Sequence, residues 1–102
     1  MIDCGFDIEE LDYKGYSPLY RACQKGQVDC ANVLIKNGAH VNTRYGQEMF
    51  TALIIAVHNN HIDCVEALIK AGANPQIGDL NNYKPFFYAI RANHLECAQI
   101  LL

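Results

Sequence analysis

The sequence predicts an all-α fold, a solenoid of stacked helix–turn–helix pairs, on three observations. One block recurs at a near-constant spacing. Ala22, Ala56 and Ala89 are separated by 34 and then 33 residues, and so are Cys30, Cys64 and Cys97, and Leu34, Leu68 and Leu101. Self-similarity of that period marks units that bury their apolar faces only by stacking on one another. Each block carries start and stop signals for two short helices. The second helices place apolar residues at i, i+3 and i+4 on one face. Such a stack is expected to work by presenting a surface, not by building a catalytic pocket.

The elements follow in order. In residues 1–11, Gly5, Phe6, Ile8 and Glu9 align with Gly38, Ala39, Val41 and Asn42, so the stretch reads as the end of a preceding unit. The first unit covers 12–44. Ser17 is suited to cap a helix because its hydroxyl accepts from an orphan backbone N–H, and Pro18 suits the first helical position. A helix is predicted over 18–25, ended by Gly26 in a left-handed turn. A second helix is predicted over 28–37, with Cys30, Val33 and Leu34 on its apolar face, Asp29 favouring its positive end and Gly38 closing it. The second unit, 45–78, repeats the scheme. Thr51 caps, Leu53 and Ala56 pack, and Asn60 takes the place of Gly26, being one of the few other residues that tolerate positive φ. Its second helix is predicted over 62–71, with Asp63 early and Gly72 after it. In the third unit, 79–102, Pro85, Ala89, Asn93, Glu96, Leu101 and Leu102 fall into the same slots. Lys84 stands at the cap and cannot accept a hydrogen bond, so this helix is expected to fray. The step from Gly38 to Thr51 is 13 residues, against 12 from Gly5 to Ser17 and from Gly72 to Lys84. One residue is therefore inserted around Tyr45 and Gly46.

A chain of 102 residues makes one domain. No run is long and apolar enough to span a bilayer, and the N-terminus lacks the pattern of a signal peptide. Five cysteines are an odd number, three of them at equivalent repeat positions. That is a repeat-imposed pattern and favours a reducing compartment, cytoplasmic or nuclear. A net charge of −3 argues against nucleic acid as the partner, which needs clustered Lys and Arg. Asp3, Asp7, Glu9, Glu10 and Asp12 supply five of the eleven acids with no base among the first twelve residues. They read either as a solvated acidic edge or as a docking patch for a basic partner.

Candidate chemistry is sparse. Equivalent cysteines in neighbouring units stand roughly 10 Å apart, the spacing of packed helices. That is too far for a shared zinc, held at about 2.3 Å, or for a disulfide. Cys30, Cys64 and Cys97 are therefore expected in the core, as is Cys23, while Cys4 is the one expected to be exposed and reactive. His61 and His94 share a slot suited to a loop hydrogen bond, His58 is expected to face the groove, and His40 falls in a loop. No His converges with a nucleophile and an orienting group, and the glycines sit at turns and form no phosphate loop. No catalytic residue, cofactor or metal is expected.

Three segments carry a family resemblance. SPLYRACQKGQVDCANVLIKNGAHVN (17–42) resembles the ankyrin repeat, and TALIIAVHNNHIDCVEALIKAGANPQ (51–76) and KPFFYAIRANHLECAQILL (84–102) match it more loosely. Asp12 and Gly15 occupy the slots of an Asp and a Gly that precede the family's Thr-Pro-Leu-His stretch. Tyr20, Ile54 and Phe87 replace its His, removing a hydrogen bond typical of the family. The resemblance implies an ankyrin-repeat solenoid with hairpin-like loops projecting at right angles and a concave face lined by loop tips and first helices. Asn42 ends a segment that resembles those recognised by asparaginyl hydroxylase, with His40 where the Asp stands. The alternative is a hydrogen bond within the loop.

On that implied face the candidate partner contacts are Tyr13, Lys14, Tyr16, Tyr20, Arg21, Gln24, Lys25, Tyr45, Glu48, Phe50, His58, Asn59, Asn81, Tyr83 and Arg91. Tyr and Arg are enriched at interface hot spots. The competing reading is that the rings pack between repeats. Phe86 and at least one of Phe87 and Tyr88 are assigned to that role, and Tyr13, Tyr16, Tyr45 and Phe50 to contacts. The expected function is a protein–protein interaction module, an adaptor or targeting arm such as a ubiquitin-ligase substrate receptor. The alternatives are an inhibitor occluding a partner enzyme, a structural spacer within a longer array, and an arm of an enzyme whose catalytic domain lies elsewhere. Neither end carries the polar outer face of a capping unit, so the chain reads as part of a longer or reduced array. The isolated chain is expected to be marginally stable or to self-associate. A monomer by sedimentation that unfolds cooperatively at high temperature would contradict this.

Overall fold

The computed structural model describes residues 8–102, and among them it consists of six α-helices in three pairs. These are α1 (Pro18–Lys25), α2 (Val28–Lys36), α3 (Ala52–His58), α4 (Ile62–Lys70), α5 (Pro85–Arg91) and α6 (Leu95–Leu101). The first helices start as the sequence dictates. The Ser17 hydroxyl accepts from the Tyr20 N–H at 3.1 Å, and the Thr51 hydroxyl from the Ile54 N–H at 3.1 Å. Lys84 gives α5 no side-chain cap.

Each first helix turns into its second through one recurring device. The N–H groups of Gln27, His61 and His94 donate to the carbonyls of Ala22, Ala56 and Ala89 at 2.8, 2.9 and 2.8 Å. The residue before each has positive φ: Gly26 at 73°, Asn60 at 58° and Asn93 at 60°. At Gly26 a Cβ would also meet the His61 ring at 2.6 Å, so glycine is required there for space as well as for φ. Helices α2 and α4 end one residue before the predicted limits.

The pairs stack in two rows, α1–α3–α5 and α2–α4–α6, and each first helix packs on its own second helix. The centre is α3, in which every residue from Ala52 to Val57 is buried. With Leu19, Tyr20, Cys23, Val65, Leu68 and Cys97 it belongs to a single contiguous core.

The stacking corrects two expectations. Cys30 is exposed, although Cys64 and Cys97 in the same slot are fully buried. Cys64 lies against the preceding repeat, near Cys23, and the Cys97 thiol donates to the Asn60 side-chain oxygen at 3.6 Å. No described helix covers the corresponding side of α2. Phe86 is likewise 38% exposed, where its equivalents Leu19 and Leu53 are buried, because among the described residues no helix covers that side of α5. The predicted positions of Asp3, Cys4, Gly5, Phe6 and Asp7 lie outside the described residues.

Leu68 is fully buried between the rows. Leu68→Ala is expected to lower stability by about 2–5 kcal/mol in urea denaturation, whereas Cys30→Ala, at the equivalent exposed edge, is expected to change it by less than about 0.5 kcal/mol.

Candidate interaction surface

The three loops that lead into the first helices are built on one plan, used twice in full. Asp12 and Tyr16 bracket the first: the Asp12 N–H donates to the Tyr16 carbonyl at 2.9 Å, and Asp12 Oδ1 accepts from the N–H groups of Lys14 and Tyr16 at 2.9 and 3.1 Å. Asp79 and Tyr83 bracket the third in the same way. The Asp79 N–H donates to the Tyr83 carbonyl at 3.0 Å, and Asp79 Oδ1 accepts from the N–H groups of Asn81 and Tyr83, both at 2.9 Å. The remaining carboxylate oxygen reaches the following helix. Asp12 Oδ2 pairs with Arg21 Nε at 2.6 Å, and Asp79 Oδ2 accepts from the Tyr88 hydroxyl. Each carboxylate thus pins a loop tip to its first helix.

The middle loop has no Asp in that slot. Tyr45 stands there, and Tyr45 and Phe50 exchange backbone hydrogen bonds of 2.8 and 3.0 Å across a turn one residue longer. Gly46 and Met49 supply its positive φ angles, 76° and 58°. The insertion read from the sequence is therefore accommodated by an antiparallel bridge, and rings take over the anchoring. Tyr45 meets Tyr20 edge-on at 5.5 Å, and Tyr16 stacks on Tyr20 at 4.6 Å. Phe50 packs edge-on to Tyr88 at 5.6 Å.

These rings settle several of the predicted contacts. Tyr20 and Tyr45 are buried and serve the core, which removes them from the contact set. Their phenols fill the space that the loops roof over, a role that only the loop's path reveals. Tyr16 and Phe50 are half-buried beneath the loop tips. Arg21 is committed to Asp12, lies over the Tyr16 ring at 4.6 Å and donates to Gln24 Oε1 at 2.8 Å. The Gln24 carbonyl accepts from the Asn59 side-chain amide at 3.2 Å and bonds His61 Nε2 at 3.1 Å. Gln24 and Asn59 therefore tie the first repeat to the second. Tyr13, Lys14, Lys25, Glu48, His58, Asn59, Asn81, Tyr83 and Arg91 are exposed. Of Phe87 and Tyr88, Tyr88 is the buried ring, and Phe87 stacks on Tyr83 at 4.2 Å.

Sequence reasoning missed Leu80, which is 67% exposed at the third loop tip. Its signal was available: Leu80 follows Asp79 as Tyr13, 91% exposed, follows Asp12. The Leu80 N–H donates to the Glu48 carbonyl at 2.8 Å, which joins the second and third loops. Two of the N-terminal acids also act inside the molecule. Asp12 is held as above, and Glu9 Oε2 accepts from the His40 N–H at 2.8 Å. One repeat on, Asn42 Oδ1 accepts from the Asn74 N–H at 2.7 Å, so Asn42 bonds to the next repeat and not within its own loop.

Electrostatics follow the same bonds. The Arg21 guanidinium and the N–H groups of Tyr16 and Lys14 hold the Asp12 carboxyl down at about 2. Burial pushes Asp79 up, but the Tyr88 hydroxyl and the N–H groups of Tyr83 and Asn81 outweigh it and leave the group below its usual range. Burial and the Asp79 carboxylate together raise Tyr88 to about 12. Burial raises the Cys23, Cys64 and Cys97 thiols, which keeps them protonated and unreactive. Among the described residues no group of three or more His, Cys, Asp and Glu side chains is placed to hold a metal, and no helix is long and apolar enough to cross a membrane.

Comparison with known proteins places this geometry. The family described as ankyrin repeats (3 copies) matches residues 1–45 and 45–102. Alpha-latrotoxin-Lg1a of Latrodectus geometricus is 29% identical over 89 residues, covering 83% of this chain and 6% of the toxin. BCL-6 corepressor-like protein 1 of Mus musculus and of Homo sapiens is 42% identical over 36 residues, covering 35% of this chain and 2% of that protein. The chain thus spans a small fraction of the curated relatives it matches.

Asp12 has a depressed folded value, so its contribution to stability is present above its ordinary value of 3.8 and is lost as the pH falls towards about 2. Acid titration of unfolding is expected to show stability falling across that window, with a shallower fall in Asp12→Asn. An unchanged slope in the variant would remove the carboxylate's role in pinning the loop.

Proposed function

We propose, because this chain belongs to the ankyrin repeat family, that it acts as an adaptor or targeting arm that binds a partner protein through its loop tips and first helices. Ankyrin repeats are generally protein–protein interaction modules and are typically non-enzymatic. One observation carries the binding mode. Tyr13 and Leu80 stand largely exposed on loops whose backbones are already fixed by Asp12 and Asp79. Large apolar groups held on ordered loops lose little further freedom on association, which favours affinity. Tyr83, half-exposed and stacked on Phe87, extends the same row.

The relatives differ widely: a toxin by name and a corepressor-like protein by name. Such a pair carries the fold across and leaves the activity to the surface. A reducing compartment, cytoplasmic or nuclear, fits the buried thiols of Cys23, Cys64 and Cys97.

A second reading, a spacer within a longer array, is favoured by the end faces. Phe86, Phe87 and Ile90 are exposed on one side of the stack. On the other, an open groove of about 470 Å³ is lined by Pro18, Ala22, Cys30 and Val33.

Combined Tyr13→Ala, Leu80→Ala and Tyr83→Ala substitutions are expected to leave the melting curve nearly unchanged. They are expected to weaken a captured partner by about 1–2 kcal/mol per anchor, measured by titration calorimetry after affinity capture. Equal capture by parent and variant would favour the spacer.

A further inference from the structure

We infer that the face formed by the first helices and loop tips accepts an acidic protein segment, an inference that rests on the interaction-module reading above. Helices α1, α3 and α5 contain no Asp or Glu, whereas α2, α4 and α6 carry Asp29, Asp63, Glu66 and Glu96. A helix in water is favoured by acids in its first turn and bases in its last. The second helices α2 and α4 meet both conditions, with Asp29 and Lys36, and Asp63 and Lys70. The first helices keep only the basic half, with Lys25, His58 and Arg91 in their last turns. Complementing the helix dipole explains those bases but not the missing acids.

The loops carry both signs, with several of their acids engaged. Asp12 and Asp79 are acidic by sequence, yet both oxygens of each are bonded within the chain. Glu10 and Glu48 remain as exposed acids on these loops among the described residues, beside Lys14, Arg44 and Lys84. Six of the eight Lys and Arg side chains belong to the first helices and the loops leading into them, and the other two close second helices. The first helices themselves therefore carry bases and no acid, the second helices carry four acids and two bases, and the loops carry both signs.

His58 and Arg91 hold one slot in consecutive repeats, roughly 10 Å apart at helix-packing distance. A segment crossing the row meets one cationic or ionisable position per repeat while Tyr13, Leu80 and Tyr83 take its apolar side chains. Charges spaced singly, with apolar groups between them, suit a mixed acidic and apolar polypeptide. Nucleic acid, by contrast, requires clustered phosphate contacts.

Random peptides displayed on phage provide the probe. They would be selected on the parent chain, on Lys25→Glu/Arg91→Glu, and on Lys36→Glu/Lys70→Glu as a control on the opposite side, all three matched by circular dichroism. The parent and the control are expected to enrich peptides of negative net charge. A synthesised winner is expected to bind Lys25→Glu/Arg91→Glu at least about ten-fold more weakly, with its parent affinity falling as salt is raised. Enrichment of neutral or basic peptides by the parent would overturn the acidic partner while leaving the interaction module standing. Equal binding of the winner to parent and Lys25→Glu/Arg91→Glu would overturn the assigned face. Duplex DNA bound by the parent as tightly as the winner would overturn the choice of a polypeptide. No enrichment above the unselected library would count against both this inference and the module.

Discussion

Burial of the first-helix row is the constraint on which the rest depends. Helix α3 has seven residues, well below the length at which an isolated helix holds together in water. It persists because α1 and α5 cover its two sides and α4 its back, so all six residues before His58 are buried. The same holds for every helix here: none exceeds nine residues, and each derives its stability from neighbours. Local propensity therefore decides where helices start and stop, while stacking decides that they form.

The stack also fixes what the loops can be. The second and third loops must each leave one second helix and re-enter the first-helix row one repeat further on, and every loop's backbone groups need partners on the way. In the first and third loops an Asp supplies those partners, reaching two N–H groups with one oxygen and the following helix with the other. In the middle loop the extra residue allows a backbone bridge between Tyr45 and Phe50, and the anchoring passes to the rings of Tyr16, Tyr20 and Tyr45. Carboxylate and aromatic solutions thus do one job, that of holding the tips still. The anchored loops hold Tyr13, Leu80 and Tyr83 exposed to solvent.

Charge divides between the helices of the two rows: α1, α3 and α5 carry no Asp or Glu, while the loops carry both signs. The first-helix row and its loops bear most of the bases, and the acids of two loops are consumed in holding those loops. The second-helix row pairs its early acids with late bases.

The sequence by itself determined the repeat, the six helices, their caps and the inserted loop residue. These follow from local signals: Ser17, Thr51 and Pro85 at starts, Gly26, Asn60 and Asn93 at turns, and apolar residues at fixed intervals. It also placed Tyr13, Lys25, Tyr83 and Arg91 on the exposed face. Only the tertiary structure decided which equivalent residues share an environment. Cys30 and Cys64 occupy one slot, yet one is exposed and the other buried, because a slot's burial depends on the repeat beside it. Tyr20 and Tyr45 read as contacts and serve the core. The physical reason is common to all of these. A helix signal lies within a few residues of itself, but burial in a stack is set by side chains some 33 residues away, whose approach no local pattern records.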